Sequence, residues 1–241
     1  MSMPPIERRW GGGKWPNAPK RRLRPNVRTA LDLAQLGLSE CFGMDARGPM
    51  TATVWCVPDT ETLAAAMEVD RPDAIELEVG YGYIKHPRRT GRVLDPLFTA
   101  ATHELTHAYR LQAGHAFNLA ERAASEGVAM YAEQAIAAEL GVSQVADYDI
   151  AVAGMMDGNT IKRMRSQMAE DDARFMAVLA VDPGSDELNQ LHDAWFEFDD
   201  TGAGLPNGYL LGMHGVFSHL ANGTEFSRVA KMPAGQILGI E

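Results

Sequence analysis

Residues 101–110 read ATHELTHAYR, two histidines four positions apart with a glutamate directly after the first. On a helix, positions i and i+4 stand one turn apart with β-carbons about 5–6 Å from each other, so His103 and His107 can aim imidazole nitrogens at one ion. Glu104 is turned about 100° from His103, which keeps it off that ion yet within reach of a water beside it, where a general base belongs. The same letters also describe an amphipathic helix with a polar outer side, and four residues alone do not choose between the two.

A third residue weighs in. The segment LAERAASEGVAMYAEQAIAAEL places Glu126 amid Ala123, Ala124, Val128, Ala129 and Met130, an apolar run that should be buried. An uncompensated carboxylate there costs on the order of several kcal/mol, a cost that a bound cation removes. Pairing with Arg110 or Arg122 is the alternative. Gly127 weakens the helix by about 1 kcal/mol relative to Ala, which makes sense if another helix passes very close. Eighteen residues separate His107 from Glu126, enough for the end of one helix, a turn at Gly114 and about two turns of a returning helix. Two imidazoles and one carboxylate leave zinc a fourth position for water, whose pKa falls to about 7, a set suited to hydrolysis.

His103-Glu104-x-x-His107, eighteen residues, then Glu126-Gly127 with Tyr131 and Glu133 following, resembles the gluzincin branch of the zinc metallopeptidases. The spacing is most similar to the large aminopeptidase family that includes leukotriene A4 hydrolase. LPNGYLLGMHGVFSHLANG, residues 205–223, resembles that family's helix with a transition-state tyrosine in a Tyr-x-x-Gly setting, here Tyr209 and Gly212. SEGVAMYAE and GYLLG also resemble a small bacterial family of predicted zinc-dependent proteases that is closer in length. The resemblance covers about residues 95–223 and implies one zinc per chain on His103, His107 and Glu126, with Glu104 as the base.

Asn207 is a plausible N-cap, which puts the Tyr209 phenol in a first turn where helix N–H groups favour negative charge and where it can donate to an oxyanion. A core tyrosine is the other reading. His214 and His219 on the same helix can donate in its place, or be ordinary surface or core histidines. Glu133, seven residues past Glu126, either orients a ligand histidine or is merely solvated. The Gly-x-Met-Glu-Asn sequence that holds a free amine in the aminopeptidases is absent, and EVGYGYIKHP stands in its place. The glycine face of that segment suits either pairing with an extended peptide or a plain edge strand with a bulge.

The elements that must position these residues follow from the hydrophobic period. Val27, Ala30, Leu31, Ala34 and Leu38 mark a helix closed by Gly43. TATVWCV, residues 51–57, reads as a strand, and TETLAAAME after it as a short helix capped by Asp59 or Thr60. AIELEVGYGYI, residues 74–84, alternates strictly, with Ile75, Leu77, Val79, Tyr81 and Tyr83 on one face. Helices are expected at 96–113, with Leu97, Ala101, Leu105 and Ala108 on one side, at 118–140, 160–180, 186–197, 208–221 and near 224–231. Strands first and helices afterwards predict an α+β fold with segregated layers, a zincin-like domain with a small N-terminal sheet and a mainly helical remainder.

The 241 residues are 46% hydrophobic and 22% charged, which fits one globular domain. Two cysteines, Cys41 and Cys56, provide neither a disulfide framework nor a soft metal site. No run resembles a signal peptide or a membrane span, so a soluble, cytoplasmic protein that needs no membrane is expected. Residues 1–30 carry eight Lys/Arg against Glu7, a net +7 that leaves −17 for the rest. With its prolines and GGG, the segment up to residue 28 reads as a disordered basic arm ahead of one domain over 29–241. The arm suits nucleic acid, an anionic surface or the acidic body as partner, or is a solvated tail. The expected activity is peptide-bond hydrolysis on a peptide or protein substrate. The rival is a catalytically silent zincin-fold binding or structural protein that keeps its metal for folding.

Overall fold

The computed structural model describes residues 6–11, 17–57, 65–66, 72–80, 94–115, 118–141, 156–198 and 205–240. Its contacts gather into two compact units, one of residues 1–114 and 132–147, the other of residues 115–131 and 148–241. Secondary structure is mixed and mainly helical, with one small sheet near the N-terminus.

The first unit is built on strands β1 (Ile6–Gly11), β2 (Met50–Val57), β3 (Ala65–Ala66) and β4 (Ala74–Gly80), in the order β1-β2-β4-β3. Alternation decides which face is buried: Ala52 and Val54 of β2 and Ile75, Leu77 and Val79 of β4 are fully enclosed. On the other face the Trp55 indole N–H donates to Glu76 Oε2 at 2.8 Å. Helix α1 (Asn17–Phe42) buries a stripe from Leu23 through Val27, Ala30, Leu31, Ala34 and Leu38. Helix α2 (Leu94–Gln112) packs on α1 and β4 with Leu97, Phe98, Ala101, Leu105 and Ala108 buried. Helix α3 (Leu119–Leu140) contributes its second half here, where a β-carbon on Gly37 of α1 would collide with Ile136.

Four expectations need correction. Residues 6–11 are not part of a disordered arm: they pair in parallel with Met50–Trp55, Ile6 is buried, and Arg8 Nη2 meets Asp32 Oδ1 at 2.6 Å. A boundary at residue 28 or 29 falls inside α1, whose apolar stripe reaches back past Pro25. Pro25 removes one ladder hydrogen bond without ending the helix, because burial on both sides of it outweighs that loss. With β1 in place, α1 is the crossover of a β-α-β unit and the main strands run parallel, so strands and helices are not fully segregated. Ala65–Ala66, expected in a helix, pair antiparallel with Leu77–Glu78 and cover the β4 edge there. The remainder of TETLAAAME up to Asp70, apart from those two residues, and Tyr81–Pro87 lie outside the described residues.

The second unit holds the first half of α3 with α4 (Gly158–Val181), α5 (Asp186–Phe196), α6 (Asn207–Ala221) and the short α7 (Phe226–Val229) and α8 (Ala234–Leu238). Asp157 caps α4 by accepting from the N–H groups of Asn159 and Thr160, and Ser185 caps α5 through Glu187 N–H. Pro206, not Asn207, occupies the cap position of α6, without a side-chain hydrogen bond, so the expected Asn207 cap is not formed. Asp172 of α4 accepts from Ala120 N–H at the start of α3, 3.1 Å away. α3 and α6 cross closely. A β-carbon on Gly127 would strike the Gly212 carbonyl and come within 2.7 Å of Met213 N, and one on Gly212 would strike the Ala123 carbonyl.

Backbone touches backbone at that crossing, so Gly127→Ala and Gly212→Ala should each lower stability by about 1–3 kcal/mol in urea unfolding, despite Ala's better helix propensity. At Asp172, burial raises the carboxyl pKa, an effect only partly offset by the N–H groups of Ala120 and Leu119. The folded chain therefore holds this proton more tightly than the unfolded chain. Its contribution is fully present below about pH 3.8 and is lost as pH rises through the higher folded value. Asp172→Asn should flatten that part of the stability–pH curve while keeping the cap, whereas Asp172→Ala should also lose about 1 kcal/mol from the missing acceptor.

Candidate metal centre

The HELTH segment lies in the middle of α2 and is helical throughout, as its spacing predicts. The two imidazoles meet edge to face, with ring centroids 4.7 Å apart and planes at 70°. Gly114 (φ 92°) and Gly141 (φ 65°) adopt the left-handed backbone expected of helix stops, so α2 ends where the turn towards α3 was anticipated. A ring nitrogen of His103, one of His107 and a carboxylate oxygen of Glu126 all lie within 4.8 Å of one another. A residue-126 carboxylate oxygen thus lies near both imidazoles.

Charge and chemistry fit a divalent ion. Bonds of about 2.0–2.2 Å in tetrahedral geometry put donors about 3.4 Å apart, so the three groups need to draw in by about an ångström, the scale of a small side-chain rotation. Among the described residues, every buried polar or charged side chain except Gln35 lies on α2 or α3: Thr102, Glu104, Thr106, Arg110, Glu121, Ser125, Glu126 and Glu133. Four of these are carboxylates and only Arg110 is a cation. Thr102 and Thr106 donate to the carbonyls of Phe98 and Thr102, at 2.9 and 2.7 Å, and so satisfy their hydroxyls within the helix.

Glu104 is 2% exposed, with Oε1 4.0 Å from His103 Nε2. Glu133 Oε2 lies 3.3 Å from His103 Nδ1, at the long end for a hydrogen bond. Glu133 is buried, which excludes the solvated reading. A carboxylate at Nδ1 favours the tautomer that carries its proton there and its lone pair on Nε2, the arrangement a metal-binding histidine uses. Arg122 approaches Glu126 along the same helix, Nε to Oε1 3.9 Å, which is the arginine neighbour foreseen as an alternative partner.

Tyr209 lies on α6 in an aromatic group, its ring centroid 6.2 Å from Phe196 and 5.6 Å from Phe198, and packs on Met130 and Met213. His214 and His219 are not in the three-ligand group, and His219 Nε2 lies 2.9 Å from the Gln236 carbonyl. The tight approach at Gly212 gives the Tyr-x-x-Gly glycine a packing reason. Arg110, the other arginine named as a possible partner of Glu126, is buried on α2 four residues after Thr106.

For a zinc ion held through His103, Glu133→Gln should weaken binding by about 10- to 100-fold, read by competition with a chromogenic chelator, because the neutral amide would not hold the His103 proton as a carboxylate does. Compared with protein-family models, with curated proteins and with solved structures, the chain matches none.

Proposed function

We propose that this chain is a zinc-dependent peptidase with a zincin-like fold that acts on peptides or proteins in the cytoplasm. The reading is carried by the convergence of His103, His107 and Glu126 to within 4.8 Å in an interior rich in buried carboxylates. Two neutral nitrogens and one carboxylate are a common donor set for hydrolytic zinc. A zinc ion held by these three residues would supply a bound water with a pKa near 7 and a Lewis acid for a carbonyl oxygen.

The chain's own groups supply the rest. Glu104, next to the first ligand, accepts a proton from the attacking water and returns it to the departing amide nitrogen, so the products are a carboxylic acid and an amine. Tyr209 donates its phenol hydrogen to the carbonyl oxygen as negative charge builds on it. Glu133 keeps His103 in the required tautomer. No helix among the described residues is long and apolar enough to cross a membrane.

Purified protein should contain one zinc per chain, and His103→Ala should lose it. Glu104→Gln should keep the metal and lose cleavage of a mixed peptide library by at least about 1000-fold, and Tyr209→Phe should lower kcat by about 100- to 1000-fold. Stoichiometric zinc with no cleavage by the wild-type protein would leave a metal-holding structural or binding protein instead.

A further inference from the structure

We propose that Arg122 is an internal competitor for the metal ligand Glu126 and sets how tightly the site holds its ion. The inference rests on the zinc reading above and concerns its regulation. Arg122 lies one helical turn before Glu126, with Nε 3.9 Å from Oε1, and its side chain is only 22% exposed. Its guanidinium carbon also sits 4.9 Å from the centre of the Phe196 ring. The stacked ring and the helical spacing together hold a cation beside the ligand carboxylate.

The consequence is electrostatic. Without an ion, the Glu126 carboxylate is 4% exposed, and a nearby cation offsets part of its desolvation. A divalent ion shares that carboxylate with Arg122. It meets repulsion from a fixed positive charge, and it competes for electron density that the guanidinium already attracts. Both effects weaken binding relative to the same three donors without Arg122. The arginine therefore stabilises the metal-free chain and limits the affinity of the loaded one, which makes loading responsive to the available zinc rather than permanent.

The test uses the full chain and zinc alone, with affinity read by chelator competition and metal-free stability read by thermal melting. Arg122→Met keeps the apolar stem against Phe196 but removes the charge. Arg122→Gln also keeps a donor and serves if the Met variant does not fold. Each should bind zinc at least about tenfold more tightly than wild type, with a lower melting temperature when metal-free, while Arg122→Lys should stay within about threefold of wild type. Unchanged or weaker zinc binding by both neutral variants, beside a wild type that binds, overturns the role of Arg122 and leaves the metal site standing. A wild type that takes up no zinc overturns both.

Discussion

Carboxylates removed from water have to be answered by positive charge or by protons, and the interior of this protein is organised around that requirement. Glu104, Glu121, Glu126 and Glu133 are all buried on two helices whose other enclosed positions are mostly Ala, Leu, Val, Met and Thr. Each carries a penalty of several kcal/mol if left ionised alone, on the order of the whole stability margin of a domain. His103 stands near two of them, Arg122 near a third, and His115 lies 3.5 Å from Glu121. Such an interior stabilises little by itself. Its persistence makes sense if the charges serve an ion.

The helices can carry this load because packing around them is tight elsewhere. α3 is enclosed on nearly all sides along much of its length, and its small residues let neighbours come close: Gly127 to Gly212, Gly37 to Ile136. Gly127 directly follows the candidate ligand. Its main chain is pinned by α6, which fixes how residue 126 is presented without using a side chain that would compete for it. Tyr209 is three residues before Gly212 on the same helix, so its root is held by that contact too.

Much of this was legible in the sequence, and the exceptions have physical reasons. The period of 3.6 gave α2 and α3 to within two residues, and the histidine spacing and the isolated glutamate named the three residues that come together. Ile75, Leu77 and Val79 announced β4 by alternation. β1 was hidden because IERRWG is charged and flanked by prolines and glycines, and its partner lies more than forty residues away, so nothing local reports the pairing. Ala65–Ala66 read as helix from alanine propensity, and pairing with β4 overrode it. Asn207 looked like a cap from residue type, but Pro206 already sets an extended backbone there and the helix begins one residue earlier than a cap at 207 allows.

The strand near the N-terminus alters what its positive charge means. Arg8 is engaged with Asp32 of α1 and Arg24 lies over the Trp10 ring, so these two cations are tied into the architecture that they were expected to precede. Clipping the segment off would take an outer strand from the sheet and the opening turns from its crossover helix. A shortened protein would thus report on folding before it reported on recognition, and the electrostatic role of this end is better probed by reversing single charges than by cutting.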